Sequence, residues 1–357
     1  YKIVTQYEIK YFIEEGDNVM KNTCVEKIVI NRAEKNIIGQ FEYDIKHKNI
    51  KKNIVLFIHG SGESDKDGTV YFSNRIVSKN FKIISDELLR NGVSTFRFNK
   101  NYGYQIDKIV QDAICVTKYL KNRNDVDKIY IYGWSEGVRV IANIIKEVDG
   151  INGLILQSGV AKGWNSYFKY ILEELVTMEL EKIDRDNDGL VNISDFERYE
   201  FNSSSVSFAF NTMLLRKASD GILKFNDRID TNSDGVINIK KDWGNVAKQI
   251  GDNSLNISNY VENFFLDSWN GDLDIFSKFG KPVFILHGIN DGWINPVESV
   301  EFAKKINKNI DIKLFPGLGH SLQKVKSPLE DIGGEIDTEA IESILKWVML
   351  QIRKDIG

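Results

Sequence analysis

Cysteine is scarce: there are two in 357 residues, Cys24 and Cys115, far apart and in no motif. That excludes a framework of spaced disulfides. A single bridge between them is left open, and buried thiols are the expected state. No apolar run approaches the length that crosses a bilayer, so no membrane span is expected. Neither sign of charge dominates: 47 Lys and Arg against 51 Asp and Glu leave a net charge of −4. Nothing there suits a polyanion, so no nucleic-acid partner is expected. Histidine is limited to His47, His59, His287 and His320, which makes the search for a general base short. No signal peptide is visible. The chain starts at Tyr1 rather than Met, which fits a trimmed chain or a removed leader.

What is present describes a soluble globular protein with ample core: 42% hydrophobic and 27% charged residues. The length suits one large domain with an insertion, or two domains. The most informative stretch is Tyr130-Ile131-Tyr132-Gly133-Trp134-Ser135-Glu136-Gly137. Asp127 to Tyr132 reads as a strand and Val138 to Val148 as an amphipathic helix. G-x-S-x-G lies between them. A turn that tight leaves no room for flanking side chains, and it lifts the serine hydroxyl above a helix N-terminus. The plainer alternative is an ordinary βα turn with a serine N-cap.

The chain around this turn alternates strand and helix. Val25 to Ile30 and Ile37 to Ile45 alternate as antiparallel strands. Asn53 to Ile58 is a continuous apolar run, as a buried parallel strand should be. A helix over 73–91, a strand at Val93 to Phe98, a helix at Ile106 to Leu120 and a strand at Gly153 to Leu156 follow. The pattern resumes with strands at Pro282 to Leu286 and Ile310 to Phe315, and helices at Val297 to Lys308 and Thr338 to Arg353. Such alternation predicts an α/β fold with a mostly parallel sheet flanked by helices. Between roughly 161 and 272 the alternation is lost. The expected division is therefore a core of 1–160 with 273–357, and a helical cap of 161–272 inserted after the strand that follows the elbow helix.

A serine needs a base and a carboxylate, here in the order Ser, then Asp or Glu, then His. His320 lies in Phe315-Pro316-Gly317-Leu318-Gly319-His320, a loop after the last strand at the same sheet edge as the elbow. It is the expected base. Asp291, in the loop after the preceding strand, is the expected acid; an Asp-Gly turn is the plainer reading, and Glu298 a weaker candidate. His47 sits in a basic turn and should be solvated. His59 and His287 each end a strand before glycine and should shape loops by hydrogen bonds. The oxyanion donors are expected from the N–H of Glu136 and from Ser61 or Gly62, after the first parallel strand.

These residues resemble the α/β-hydrolases, more narrowly the dienelactone-hydrolase and serine-aminopeptidase-like esterases. Those proteins often show HGSG followed by an acidic D-x-D-G stretch, G-x-S-x-G, HG-x-x-D and PG-x-x-H. Here the four stand in order at 59–68, 133–137, 287–291 and 316–320. The resemblance covers roughly 50–160 and 280–355, and it implies the fold and the triad but no particular substrate. Trp134, Val138 and the stretch Asn99-Lys100-Asn101-Tyr102 depart from the family pattern, which bears on the substrate rather than on the nucleophile.

The inserted segment carries two acidic loops. Asp184-Arg185-Asp186-Asn187-Asp188-Gly189-Leu190-Val191-Asn192-Ile193-Ser194-Asp195 matches an EF-hand loop at positions 1, 3, 5, 6 and 9, with Asp at 12. Asp184, Asp186, Asp188, Asn192, Asp195 and the Leu190 carbonyl are its candidate calcium ligands. A helix over Tyr167 to Leu180 precedes it, and Asp195 to Tyr199 could start another. The second loop, from Asp230 to Lys241, repeats the pattern with Asp230, Asn232, Asp234, Val236 and Asn238; Lys241 cannot ligate, and Asp242 substitutes by a one-residue shift. The loops resemble those of EF-hand and dockerin modules, which implies structural calcium and a facing pair. Asp/Asn/Gly turns are the alternative. Docking to a scaffold is a weaker expectation.

The expected function is serine hydrolysis by acyl transfer, first as a carboxylesterase on small-molecule esters with short or medium acyl groups. A peptidase or amidase on the same triad, and a calcium-dependent docking protein without catalysis, are the alternatives. Some of the aromatics Trp164, Tyr167, Phe168, Phe201, Phe208, Phe210, Phe264, Phe265 and Trp269 are expected to line an acyl pocket. Secretion or the cell envelope is the expected location, with the cytoplasm as the alternative.

Overall fold

Apolar runs and two-residue alternation become the strands of one sheet, because strands buried on both faces must be apolar throughout. The computed structural model describes residues 5–11, 22–72, 75–159, 162–197, 199–217, 221–261, 266–305 and 309–354. Tyr1, Phe264, Phe265 and the expected element ends at 73, 161 and 308 lie outside the described residues. The first strands are β1 (Thr5–Tyr11), β2 (Thr23–Ile30), β3 (Ile37–Asp44) and β4 (Lys52–Ile58). A hairpin of β5 (Thr69–Phe72) and β6 (Arg75–Lys79) leads into α1 (Asn80–Arg90). Then β7 (Ser94–Phe98), α2 (Ile106–Lys121), β8 (Val126–Trp134), α3 (Gly137–Glu147) and β9 (Gly153–Gln157) alternate.

The helix expected over 73–91 thus begins only at Asn80. The residues before it, Arg75-Ile76-Val77-Ser78-Lys79, include the β-branched pair Ile76-Val77 and carry no 3.6-residue period, and they pair with Thr69–Phe72. From Phe81 the period starts, and Phe81, Ile84, Leu88 and Leu89 are buried.

Between β9 and Val283 lies a segment with its own apolar core, built on residues such as Phe168, Leu172, Val176, Phe196, Phe210, Ile237 and Trp243. Its helical stretch 164–183 comprises α4 (Trp164–Phe168), wide π turns at Lys169–Val176 and α5 (Thr177–Ile183). Then come β10 (Leu190–Asn192), α6 (Ser204–Ala209), β11 (Leu215–Lys217), β12 (Leu223–Phe225), β13 (Val236–Asn238), α7 (Gly244–Asp252) and α8 (Leu273–Ser277). The segment is helical as expected but also holds two short ribbons, β10 with β13 and β11 with β12. The helix start expected at Asp195 is only a 3-10 turn, Ile193–Phe196.

The chain closes with β14 (Val283–Gly288), α9 (Pro296–Lys305), β15 (Ile310–Phe315) and α10 (Thr338–Lys354). The sheet runs β1-β2-β3-β7-β4-β8-β9-β14-β15. From β7 to β15 every pairing is parallel, and β1 to β3 extend it antiparallel. Helices α2, α3 and α9 cover one face and α1 and α10 the other. Cys24 is buried, Cys115 half-buried, and both are free thiols. No helix among the described residues is long and apolar enough to cross a membrane.

One glycine is demanded by the crossing of α3 over β4. A Cβ on Gly137 would stand 2.6 Å from the Ile58 carbonyl oxygen and 2.8 Å from that of His59. Both are backbone atoms of the neighbouring strand end and cannot swing aside. Gly137→Ala is expected to destabilise the fold by about 1–3 kcal/mol. Urea unfolding followed by tryptophan fluorescence measures this, and an unchanged midpoint would contradict the close crossing.

Candidate active site

The parallel strands end at one edge, where the loops after β4, β8, β14 and β15 meet. Ser135 tops the turn from β8 to α3 in the left-handed region, φ 55°, a conformation a serine adopts only when its surroundings impose it. Its N–H donates to the Gln157 carbonyl at 2.9 Å, which ties the turn to the end of β9. A cavity of about 1240 Å³ opens here, lined by Ser61, Ser135, Glu136 and His320. Trp134, Trp164, Tyr167, Phe168, Phe208, Trp269 and Trp293 form much of its wall. Phe201 and Phe210, expected among the same aromatics, pack instead within the inserted segment's own core.

Asp291 and His320 come together. His320 Nδ1 lies 2.9 Å from Asp291 Oδ2. Asp291 is fully buried, and its other oxygen accepts the N–H of Trp293 at 2.7 Å and of Ile294 at 2.9 Å. His287 Nε2 also stands 2.9 Å from Asp291 Oδ2. His287 therefore does more than shape its loop: it shares the acid, while its Nδ1 meets Ser299 Oγ at 2.6 Å. Burial opposes the charge on Asp291, but the two histidines outweigh it and hold the carboxyl below the usual range. Burial likewise opposes a proton on His320, yet Asp291 beside it raises the ring above its ordinary value.

His320 is held through its backbone as well. The His320 carbonyl accepts from Trp134 Nε1 and from Gln157 Nε2, each at 3.2 Å. The Trp134 ring lies 5.7 Å from the imidazole, centre to centre. Trp134, one of the departures from the family pattern, thus supports His320. Ser135 and His320 border the same cavity, and among the described residues no direct hydrogen bond joins them. Unliganded sites often close such bonds only when substrate arrives.

The N–H groups of Ser61, Gly62 and Glu136 have no intramolecular acceptor among the described residues. Lys100, whose side chain is almost fully buried, links the two sides of this region. Its Nζ reaches the Gly60 carbonyl at 2.7 Å and Glu136 Oε2 at 3.3 Å. The remaining polar candidates are placed elsewhere. His59 is buried, meets the Asp65 carbonyl at 3.0 Å, and has its pKa pushed down to about 3 by burial. His47 is half-buried near Gly92. Glu298 lies on α9 and bonds Ser166 of the inserted segment rather than His320.

The two acidic loops do face each other. Val191 pairs with Ile237 at the centre of the β10–β13 ribbon. The Ile193 N–H donates to Gly235 O at 2.9 Å, and the Ile239 N–H to Gly189 O at 3.0 Å. These are the same positions in each loop, so the pair is pseudo-symmetric. Carboxylate oxygens of Asp184, Asp186 and Asp188 lie within 4.8 Å of one another. In the second loop Asp230 is buried; its Oδ2 accepts the Gly235 N–H at 3.0 Å, while Oδ1 has no partner among the described residues. A buried carboxylate oxygen without a donor suits a cation. Asp195 accepts the Asn192 N–H at 2.9 Å, and Asp242 the Asn238 N–H at 2.7 Å. The extra residue before Asp242 is absorbed by a π turn, Ile239–Trp243, which returns the carboxylate to the equivalent place.

The charge arrangement has a measurable consequence. An NMR titration of the His320 ring is expected to give a midpoint above about 6.5, the ordinary histidine value. Asp291→Asn should lower it, because the neighbouring negative charge is lost. A wild-type midpoint at or below the ordinary value would contradict the pairing.

No protein-family model matches the chain. Over 108 residues it is 31% identical to the esterase EstD of Thermotoga maritima, covering 27% of this chain and 25% of EstD. The match thus spans about a quarter of that relative's length. Among solved structures, Est1E from Butyrivibrio proteoclasticus superposes with a TM-score of 0.50 at 18% identity, over 92% of this chain and 99% of Est1E. An acetyl xylan esterase from Paenibacillus sp. R4 does so at 0.50 and 10% identity, over 98% of this chain and 89% of that one. At such identities the likeness is one of fold. The mostly parallel sheet, its flanking helices and these neighbours give the chain the α/β-hydrolase fold.

Proposed function

We propose that this protein is a serine hydrolase that cleaves carboxylic esters through an acyl-enzyme. The observation that carries the reading is the Asp291–His320 hydrogen bond of 2.9 Å, formed at the rim of the cavity that Ser135 also lines. His320 Nε2 takes the proton from Ser135 Oγ as the oxygen attacks the ester carbonyl. Asp291 holds Nδ1 and stabilises the imidazolium. The oxyanion is received by the N–H of Glu136 and of Ser61 or Gly62. His320 then returns its proton to the leaving alkoxide, and water repeats the sequence to release the acid. The substrates are small-molecule esters with short or medium acyl groups, seated against the aromatic wall. Residues 161–272 form a cap over this site, on a core of 1–160 and 273–357. Export from the cytoplasm suits the proposed metal below.

Calcium is the proposed structural cation of the cap. Asp184, Asp186, Asp188, Asn192, Asp195 and the Leu190 carbonyl would hold one ion; Asp230, Asn232, Asp234, Asn238, Asp242 and the Val236 carbonyl would hold a second. The orphaned Asp230 oxygen and the clustered aspartates support this. Bound calcium would neutralise converging carboxylates and brace the ribbon.

Hydrolysis of p-nitrophenyl esters of increasing chain length tests the first reading. Ser135→Ala should lower kcat by at least about a thousandfold, and a fluorophosphonate should label wild type only. In wild type, kcat/KM should rise with pH through the raised His320 midpoint, since the base must be neutral. Absence of both turnover and labelling rejects the reading; labelling without ester turnover moves it to amides. For the metal, calcium at a hundred times its Kd should add about 2.7 kcal/mol to stability per site in urea unfolding. Asp184→Ala should remove one site's share. Identical unfolding in calcium and in chelator rejects the proposal.

A further inference from the structure

Asp331 belongs to no motif and lies in the irregular stretch between β15 and α10. It is fully buried, and every bond its carboxylate makes is to an N–H donor. Oδ2 accepts the backbone N–H of His320 at 2.7 Å and of Gly292 at 2.9 Å. Oδ1 accepts Gln323 Nε2 at 2.6 Å and the Gly333 N–H at 3.2 Å. Gly292 directly follows Asp291, so one oxygen grips the acid loop and the base loop together. The Asp331 carbonyl also accepts the Ser204 N–H at 2.9 Å, which attaches the inserted segment to the same point.

Two glycines make room for this carboxylate. A Cβ on Gly319 would stand 2.7 Å from Asp331 Oδ2, and one on Gly292 would stand 2.5 Å from the Pro328 carbonyl oxygen and 2.8 Å from Asp331 Cβ. Neither glycine has a positive φ, so close approach and not backbone freedom explains them. The loops carrying Asp291 and His320 are therefore shaped around a second carboxylate, that of Asp331.

We propose that Asp331 is a positioning residue: its buried carboxylate clamps the backbone of Gly292 and His320 and so sets the acid and base loops in register. The two loops leave different strands; the Ile289 N–H reaches Phe315 O and the Asn290 N–H reaches Leu318 O, each at 2.9 Å, but among the described residues no backbone bond joins Gly292 to His320. A carboxylate with two N–H donors on one oxygen supplies that link through charge-assisted bonds. Misplacing the base by a fraction of an ångström weakens its alignment with the serine, and such errors are expensive in rate. The negative charge near His320 also adds to the attraction that Asp291 exerts on the ring proton.

The inference rests on the acyl-transfer reading for its kinetic part and on structure alone for its titration part. Asp331→Asn keeps the shape and removes the charge. Its His320 midpoint, read by NMR, should fall below that of wild type. Its kcat per fluorophosphonate-labelled serine should fall about tenfold, with KM changed less than about threefold. Gln323→Leu takes a donor from the same carboxylate and should move the midpoint upward; it decides the matter if Asp331→Asn does not fold. Wild-type midpoints in the folded variants, or a wild-type kcat per labelled serine, would overturn the role. If wild type turns over no ester, or Ser135→Ala remains active, the acyl-transfer reading fails instead, and the His320 titration alone judges Asp331.

Discussion

A buried carboxylate must be surrounded by donors, and the edge of this sheet is arranged to provide them. Asp291 has no exposure, two histidines on one oxygen and two backbone N–H groups on the other. Removing a buried charge from water is unfavourable by several kcal/mol unless such partners are in place. Those partners come from β14's end, from the loop after β15 and from the turn leading to α9. Their meeting depends on the parallel pairing of β14 with β9 and β15. The candidate site is thus a consequence of sheet register, and its acid is the group most intolerant of error in that register.

The inserted segment is joined to this point rather than merely laid over it. Tyr170, in the π-wound part of the helical stretch 164–183, donates its hydroxyl to the Asp291 carbonyl at 2.7 Å. Ser205 bonds the Gly292 carbonyl, and Ser204 that of Asp331. The same helical stretch runs directly into the first acidic loop at Asp184. Trp243, just beyond the second loop, donates to the Leu172 carbonyl at 3.2 Å and is fully buried. The paired loops and the acid loop are therefore the two ends of one packed unit, with a continuous apolar core between them.

Much of this was legible in the residues. Four histidines, one G-x-S-x-G and a strand order left few choices for a base and an acid. The Asp/Asn/Gly loops announced their own geometry, because each needs a sharp turn at a fixed offset; Asn187, Gly189, Ser233 and Gly235 all take positive φ. The strand Arg75–Lys79 falls within the stretch 73–91 expected as helix, because it adjoins a true helical period at Phe81. Trp134, Lys100 and Asp331 carried no readable signal of their role. Each acts on backbone atoms remote in the sequence, as Trp134 does on His320 O, and no local pattern records that.

The sequence by itself determined the alternation of strand and helix, the tight turn at Ser135, and the two acidic loops. All are local consequences of periodicity, glycine and short-range oxygen placement. Tertiary structure decided that His287 shares Asp291, that Asp331 ties the two loops, and that a π turn carries Asp242 into the place Asp195 holds. These depend on which chain segments come to lie together in space, and that is set by strand order and packing.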